Sequence, residues 1–154
     1  MKVQRRYLTA LGAILCVAFV SRACATSSLH IPVFMEVASS DPVGSAYAYA
    51  LKQQILQSQS YFLSDSANHA LFQIQVVTLN PSSTEQALDT VYSVTLTGTQ
   101  LANPTGGKIY LNSWVGICGA ASADQCAQQM MSNLDAEMYP TAQEIEDQAQ
   151  KTKS

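Results

Sequence analysis

Cys118 and Cys126 are the residues whose type and spacing point most directly to a chemical event. Seven residues, Gly119 to Gln125, separate them. In an oxidising compartment two such neighbours pair, and closing a loop of this length stabilises a fold by about 2–3 kcal/mol in the chain-entropy picture. The C-x-x-C spacing that lowers a thiol pKa is absent, which argues against a redox-active dithiol. Two sulfurs without nearby histidines do not complete a zinc site. The expectation is therefore a structural disulfide that staples the end of a strand to the start of a helix.

The histidines offer less. His30 alternates with apolar residues and reads as a solvent-facing strand residue. His69 follows Asp65, Ser66 and Asn68, which suggests as an alternative function a small hydrolase using His69. The members of such a triad, however, normally converge from separate elements rather than from one loop. Gly106-Gly107-Lys108 ends like a phosphate loop but lacks the upstream glycine and precedes a strand, so it reads as a hairpin connection. Glu36 and Asp41 have no spacing that selects an acid–base pair over chance. No catalytic, cofactor-binding or metal-ligating set is assigned, and no cofactor is implied.

Tyr110, Asn112 and Trp114 form a second kind of candidate. Strict alternation along one strand puts these three on one face and Ile109, Leu111, Ser113 and Val115 on the other. If helices cover the aliphatic side, Tyr110 and Trp114 lie on the open face of a sheet, where amphipathic aromatics form contact surfaces. The expected activity is binding, with a protein or a cell-envelope component as partner.

The amino-terminal segment sets where that binding would occur. Lys2, Arg5 and Arg6 precede an apolar run from Leu8 to Val20, and Ala23-Cys24-Ala25 supplies small residues for cleavage. This is the order of a secretory signal peptide. The run of about 13 residues is short of the roughly 20 that a membrane-spanning helix needs. Residues 1–25 are thus expected to be removed, and the rest to work in the periplasm or as a secreted protein. Ser21-Arg22-Ala23 is a poor lead for acylation of Cys24, but an outer-membrane lipoprotein anchored through Cys24 is the competing reading. Only in that case is a membrane the partner.

Cleavage also changes the charge. The whole chain carries a formal −3, and Lys2, Arg5, Arg6 and Arg22 leave with the signal while all 11 acidic residues remain. The mature chain is more acidic and has no arginine. Without a basic stripe to meet phosphates, nucleic acid is excluded as a partner.

The elements that must position these residues follow from periodicity. Leu29 to Val37 alternates as a strand, in which Pro32 suits an edge or a bulge. Asp41 and Pro42 announce a helix that ends near Ser60 and carries Val43, Tyr47, Leu51 and Ile55 on one stripe. Ser64 to Asn68 is a polar connection, and strands are predicted over Ala70–Leu79, Thr90–Thr97 and Lys108–Cys118. A second helix begins at Ser122, with Gln125 placed for a capping box. Its Ala127, Met130, Met131, Leu134 and Met138 share a face, and the methionines read as core filling. Pro140 should interrupt it, and residues 141–154 form a polar tail, either frayed helix or disordered.

The result is one α+β domain over residues 26–140: a two-layer sandwich of a four-stranded mixed sheet with two helices on one face, in the order βαβββα. The first two strands are expected to run parallel through a crossover helix.

Ser40-Asp41-Pro42-Val43-Gly44 followed by Leu51-Lys52-Gln53-Gln54-Ile55 resembles a segment of uncharacterised exported bacterial proteins. From Leu29 to Met138 the order of elements resembles two periplasmic α/β modules. These are the lipopolysaccharide-assembly lipoprotein of the outer membrane and the amino-terminal domain of the Tol translocation protein. The resemblance implies fold and compartment; it carries no catalytic motif and no residue role.

Overall fold

The computed structural model describes residues 30–82, 88–99 and 107–151. The expected signal segment and Cys24 lie outside the described residues, as does Gly106. The described elements are β1 (Ile31–Ser39), α1 (Pro42–Gln57), β2 (Tyr61–Leu63), β3 (Phe72–Leu79), β4 (Asp89–Thr99), β5 (Lys108–Gly119) and α2 (Ala123–Lys151). A 3-10 turn, Ala120–Ser122, links β5 to α2.

The architecture is α+β, with one mixed sheet and two helices, but the sheet has five strands in the order β2-β1-β3-β4-β5 rather than four. The additional strand is β2, three residues that pair parallel with the start of β1. A three-residue element is too short to display a period of two, so it is not readable from alternation. β1 and β3 are parallel neighbours, as a strand–helix–strand series requires, and β3, β4 and β5 continue antiparallel.

β2 moves β1 to the interior of the sheet, so Pro32 is not on an edge strand. It is accommodated because it sits one residue ahead of the β1–β3 ladder, whose first rung is Val33 opposite Phe72. Its carbonyl still accepts from Leu71 N at 2.9 Å, and the missing N–H faces no ladder partner.

The helices share one face of the sheet, and the core lies between the two layers. α1 buries Tyr47, Leu51 and Ile55, and α2 buries Met130, Leu134 and Met138. These meet Ile31, Val33, Phe72, Ile74, Val76, Val94 and Leu96 from the sheet in one cluster. Small residues let the layers approach. A Cβ at Gly116 would collide with the Tyr92 ring, which lies across β5 and stacks on Tyr47 with centroids 4.7 Å apart.

A buried polar joint ties α1 to the sheet. Asp41, 5% exposed, accepts from Gly44 N at 2.7 Å as the N-cap of α1 and from Thr90 Oγ1 of β4 at 2.9 Å. Around it Thr78 Oγ1 donates to Ser39 Oγ at 2.8 Å, and Ser45 Oγ donates to the Asp41 carbonyl at 2.9 Å.

α2 does not stop at Pro140 and runs to Lys151. Proline removes one backbone donor, but Ala142 beyond it is buried against the core and the Thr141 hydroxyl donates to the Glu137 carbonyl at 2.8 Å. Packing holds the helix where local propensity would end it. No helix among the described residues is long and apolar enough to cross a membrane.

Candidate functional site: the open face of the sheet

Cys118 closes β5 on the helix side, and the structure joins it to Cys126 in the first turn of α2, with Cα atoms 6.2 Å apart. That spacing is ordinary for a disulfide. It also decides the orientation of the last strand: because Cys118 must point to α2, period two sends Gly116, Trp114 and Asn112 the same way. Trp114 is accordingly half-buried against the core, opposite Val94 of β4. Asn112 Nδ2 donates to Glu137 Oε1 of α2 at 2.8 Å.

Tyr110 breaks from that series. Leu96 is opposite Asn112 while the next residue, Thr97, is opposite Tyr110, so Leu111 is an extra residue in a β-bulge. The bulge turns Tyr110 to the opposite face, where its Oη bonds Ser113 Oγ at 3.0 Å. Tyr110, Asn112 and Trp114 therefore do not share a face. Tyr110, 64% exposed, belongs to the open side, and the helices cover the side of Trp114, where Leu111 also packs against the core, rather than that of Val115.

The cross-strand register gives the open face four rows. Phe34, Gln73, Thr97 and Tyr110 form one row, and Glu36, Gln75, Thr95 and Ser113 the next. This half is polar: Gln73 Nε2 donates to Glu36 Oε2 at 3.3 Å, and Lys108 Nζ donates to Gln73 Oε1. The remaining rows are Ala38–Val77–Ser93–Val115 and Leu79–Val91–Ile117. They carry no charge, and Val115 is 74%, Ile117 69% and Leu79 58% exposed. Alternation along β5 alone places Val115 and Ile117 under the helices. The signal that could have found them is the pair of cysteines, since a bond from Cys118 to the second helix fixes the covered face of β5.

The other candidates are distributed as follows. His30 is exposed ahead of β1. His69 Nδ1 lies 3.7 Å from Asp65 Oδ1, both side chains largely in solvent. A cavity of about 300 Å³ beside His69 is walled by Pro32, Ala70, Leu71 and Ile145. Its one hydroxyl, on Thr99, donates to the Ala70 carbonyl at 2.9 Å. His69 thus meets a carboxylate from its own loop, and among the described residues no hydroxyl hydrogen-bonds to its ring. Ser66 of that loop accepts from Asn68 N through its Oγ at 3.3 Å. Glu36 lies in the polar rows and Asp41 in the buried joint, each with its own partners. Among the described residues no group of three or more His, Cys, Asp or Glu side chains could hold a metal ion.

No protein-family profile matches the chain, and no curated protein matches it in sequence. Among solved structures it is similar to the hypothetical protein CT253 from Chlamydia trachomatis, at 13% identity over 57% of this chain and 71% of that one, with a TM-score of 0.38. It is also similar to rare lipoprotein B from Shewanella oneidensis, at 10% identity over 67% and 94% of the two chains, TM-score 0.29. A further likeness is to lipoprotein GNA1162 from Neisseria meningitidis, at 13% identity over 69% and 94%, TM-score 0.33. Two of these are lipoproteins, the class that the element order suggests, but likenesses at these scores carry no activity and no residue role to this chain. They add nothing to the resemblance to the Tol module.

Proposed function

We propose that this chain is an exported, non-enzymatic binding domain of the periplasm or the extracellular space that acts through the apolar half of its open sheet face. The observation that carries the reading is the uncovered block of Val77, Leu79, Val91, Val115 and Ile117. Both helices lie on the other side, so folding leaves this block to water. Contiguous apolar surface of this kind marks an interaction site on a soluble domain. The block is free of charge on an otherwise acidic chain, which suits a protein or an envelope component and not a phosphate backbone. Export is supported by the charged–apolar–small order of residues 1–25 and by the Cys118–Cys126 pair, which belongs in an oxidising compartment.

A photo-crosslinking residue at Val115 tests the reading, with one at Tyr49 on the exposed back of α1 (66% exposed) as the control. In intact cells Val115 should give a discrete crosslinked product that Tyr49 does not give, and Ile117→Lys should abolish it. Equal products from both positions, or none from Val115, would overturn the proposal. Mass analysis of the native amino terminus tests compartment: Thr26 is expected, and an acylated Cys24 would place the domain on a membrane instead.

A further inference from the structure

The rows of the open sheet face carry a pattern that selects one occupant. Taken from β1 through β3 and β4 to β5, Ala38–Val77–Ser93–Val115 alternates small, large, small, large. A twofold rotation about an axis parallel to the strands, lying between β3 and β4, keeps every row level and reverses its order. Ala38 then meets Val115 of a second copy and Ser93 meets Val77, so each large side chain is set against a small one, twice over by symmetry. The same reversal brings Phe34 opposite Tyr110 in the first row, an aromatic pair. In the second row it brings Glu36 opposite Ser113 rather than opposite itself, on the side from which the Lys108 ammonium reaches inward to Gln73. Within the four rows no charge meets its like, and Asp89 lies one step beyond them at the rim.

Size and charge agree with this occupant. Four strands about 4.8 Å apart and four rows about 6.8 Å apart give a face of roughly 500 Å² in projection, so a pair of copies buries at least about 1,000 Å². That is the lower end of a specific interface, and it implies a reversible pair. The chain is acidic as a whole, so two copies repel unless they meet through a surface poor in carboxylates, and this face is one. Its shape fits as well, since sheets stack face to face about 10 Å apart with their strands nearly aligned. We infer that the occupant of the open face is a second copy of this chain, docked about a twofold axis between β3 and β4 to close a helix–sheet–sheet–helix dimer. The inference rests on the reading of this face as a binding surface.

Sedimentation equilibrium of the purified protein, from micromolar to submillimolar concentration, should show a reversible monomer–dimer mixture. Ala38→Arg, a change at an exposed position of β1, should raise the dissociation constant at least tenfold. Ser113→Glu, which faces Glu36, should raise it several-fold, whereas Ser113→Lys should retain the pair; circular dichroism checks the fold of each variant. A monomer at every concentration would overturn the inference. So would an unchanged dimer in folded Ala38→Arg, the result of contact through the β5 edge, from which Ala38 is separated by two strands. Photo-crosslinking from Val115 separates the second copy from the broader reading. A product of twice the chain mass is expected, and a discrete product with a different protein from a monomeric chain would reject the second copy while keeping the binding surface.

Discussion

Asp41→Ala should be among the most damaging single changes outside the apolar core, because one carboxylate serves two elements distant in sequence. Oδ1 caps α1 through Gly44 N and Oδ2 accepts from Thr90 of β4, both at hydrogen-bonding distance in a site 5% exposed. Loss of an aspartate cap costs about 1 kcal/mol. The Thr90 hydroxyl, left with the more distant Leu79 carbonyl at 3.3 Å, adds about another 1 kcal/mol. A total of roughly 2 kcal/mol corresponds to a fall in Tm on the order of 10 °C for a domain of this size. Asp41→Asn keeps the capping oxygen and should lose about half as much. Urea denaturation of Asp41→Ala, Thr90→Val and the double variant measures the link, with an expected coupling of about 1 kcal/mol. Strict additivity, or a loss below about 0.5 kcal/mol for Asp41→Ala, would refute the view that this side chain joins helix to sheet.

Further outcomes follow from packing and titration. Gly116→Val pushes the Tyr92 ring off Tyr47 and should cost about 1–3 kcal/mol, seen as a lower urea midpoint and a changed near-ultraviolet dichroism. Trp114→Ala, half-buried against the core, should lose roughly 2 kcal/mol, below the 3–5 kcal/mol of a fully buried aromatic, while Val115→Thr on the open face stays within about 0.5 kcal/mol. Replacing both Cys118 and Cys126 by serine should cost about 2–3 kcal/mol, read from denaturation with and without reductant. Tyr47, through burial and then Tyr92, and Tyr61, through burial and then Asp135, are held protonated above the usual phenol value of 10.0. The unfolded chain ionises first as pH rises past that value, so stability is full below it and falls above it. Tyr61→Phe should flatten this alkaline loss in a pH series of denaturation midpoints.

The elements that were legible in the sequence are those whose signals are local. Asp41 and Pro42 mark the start of α1 because a cap and a fixed φ act within one turn, and Phe72, Ile74 and Val76 mark β3 because both neighbours bury the same face. β2 escaped because Tyr61–Leu63 gains its strand character only from β1 beside it. α2 passes Pro140 because Ala142 is buried from afar. The site shows the same division. The alternation through Tyr110, Asn112 and Trp114 is correct as arithmetic and fails at one point, where the bulge at Leu111 inserts a residue opposite Leu96 and Thr97. Which side of β5 faces water is a tertiary property. The bond from Cys118 to Cys126 carried it, and periodicity did not.

The two edges of the sheet have consequences for assembly. β5 offers twelve residues along its outer side and β2 only three, and neither has a further strand partner among the described residues. Growth of the sheet into a filament needs unlike edges to join head to tail, copy after copy, and edges of such different length cannot sustain that register. Two copies meeting β5 to β5 about a twofold axis could match in length, and the pair would present only its short β2 edges outward. The unequal edges thus make a closed dimer the natural end point of any edge-to-edge contact. They protect a chain with a long terminal strand, charged only at Lys108, against open-ended polymerisation.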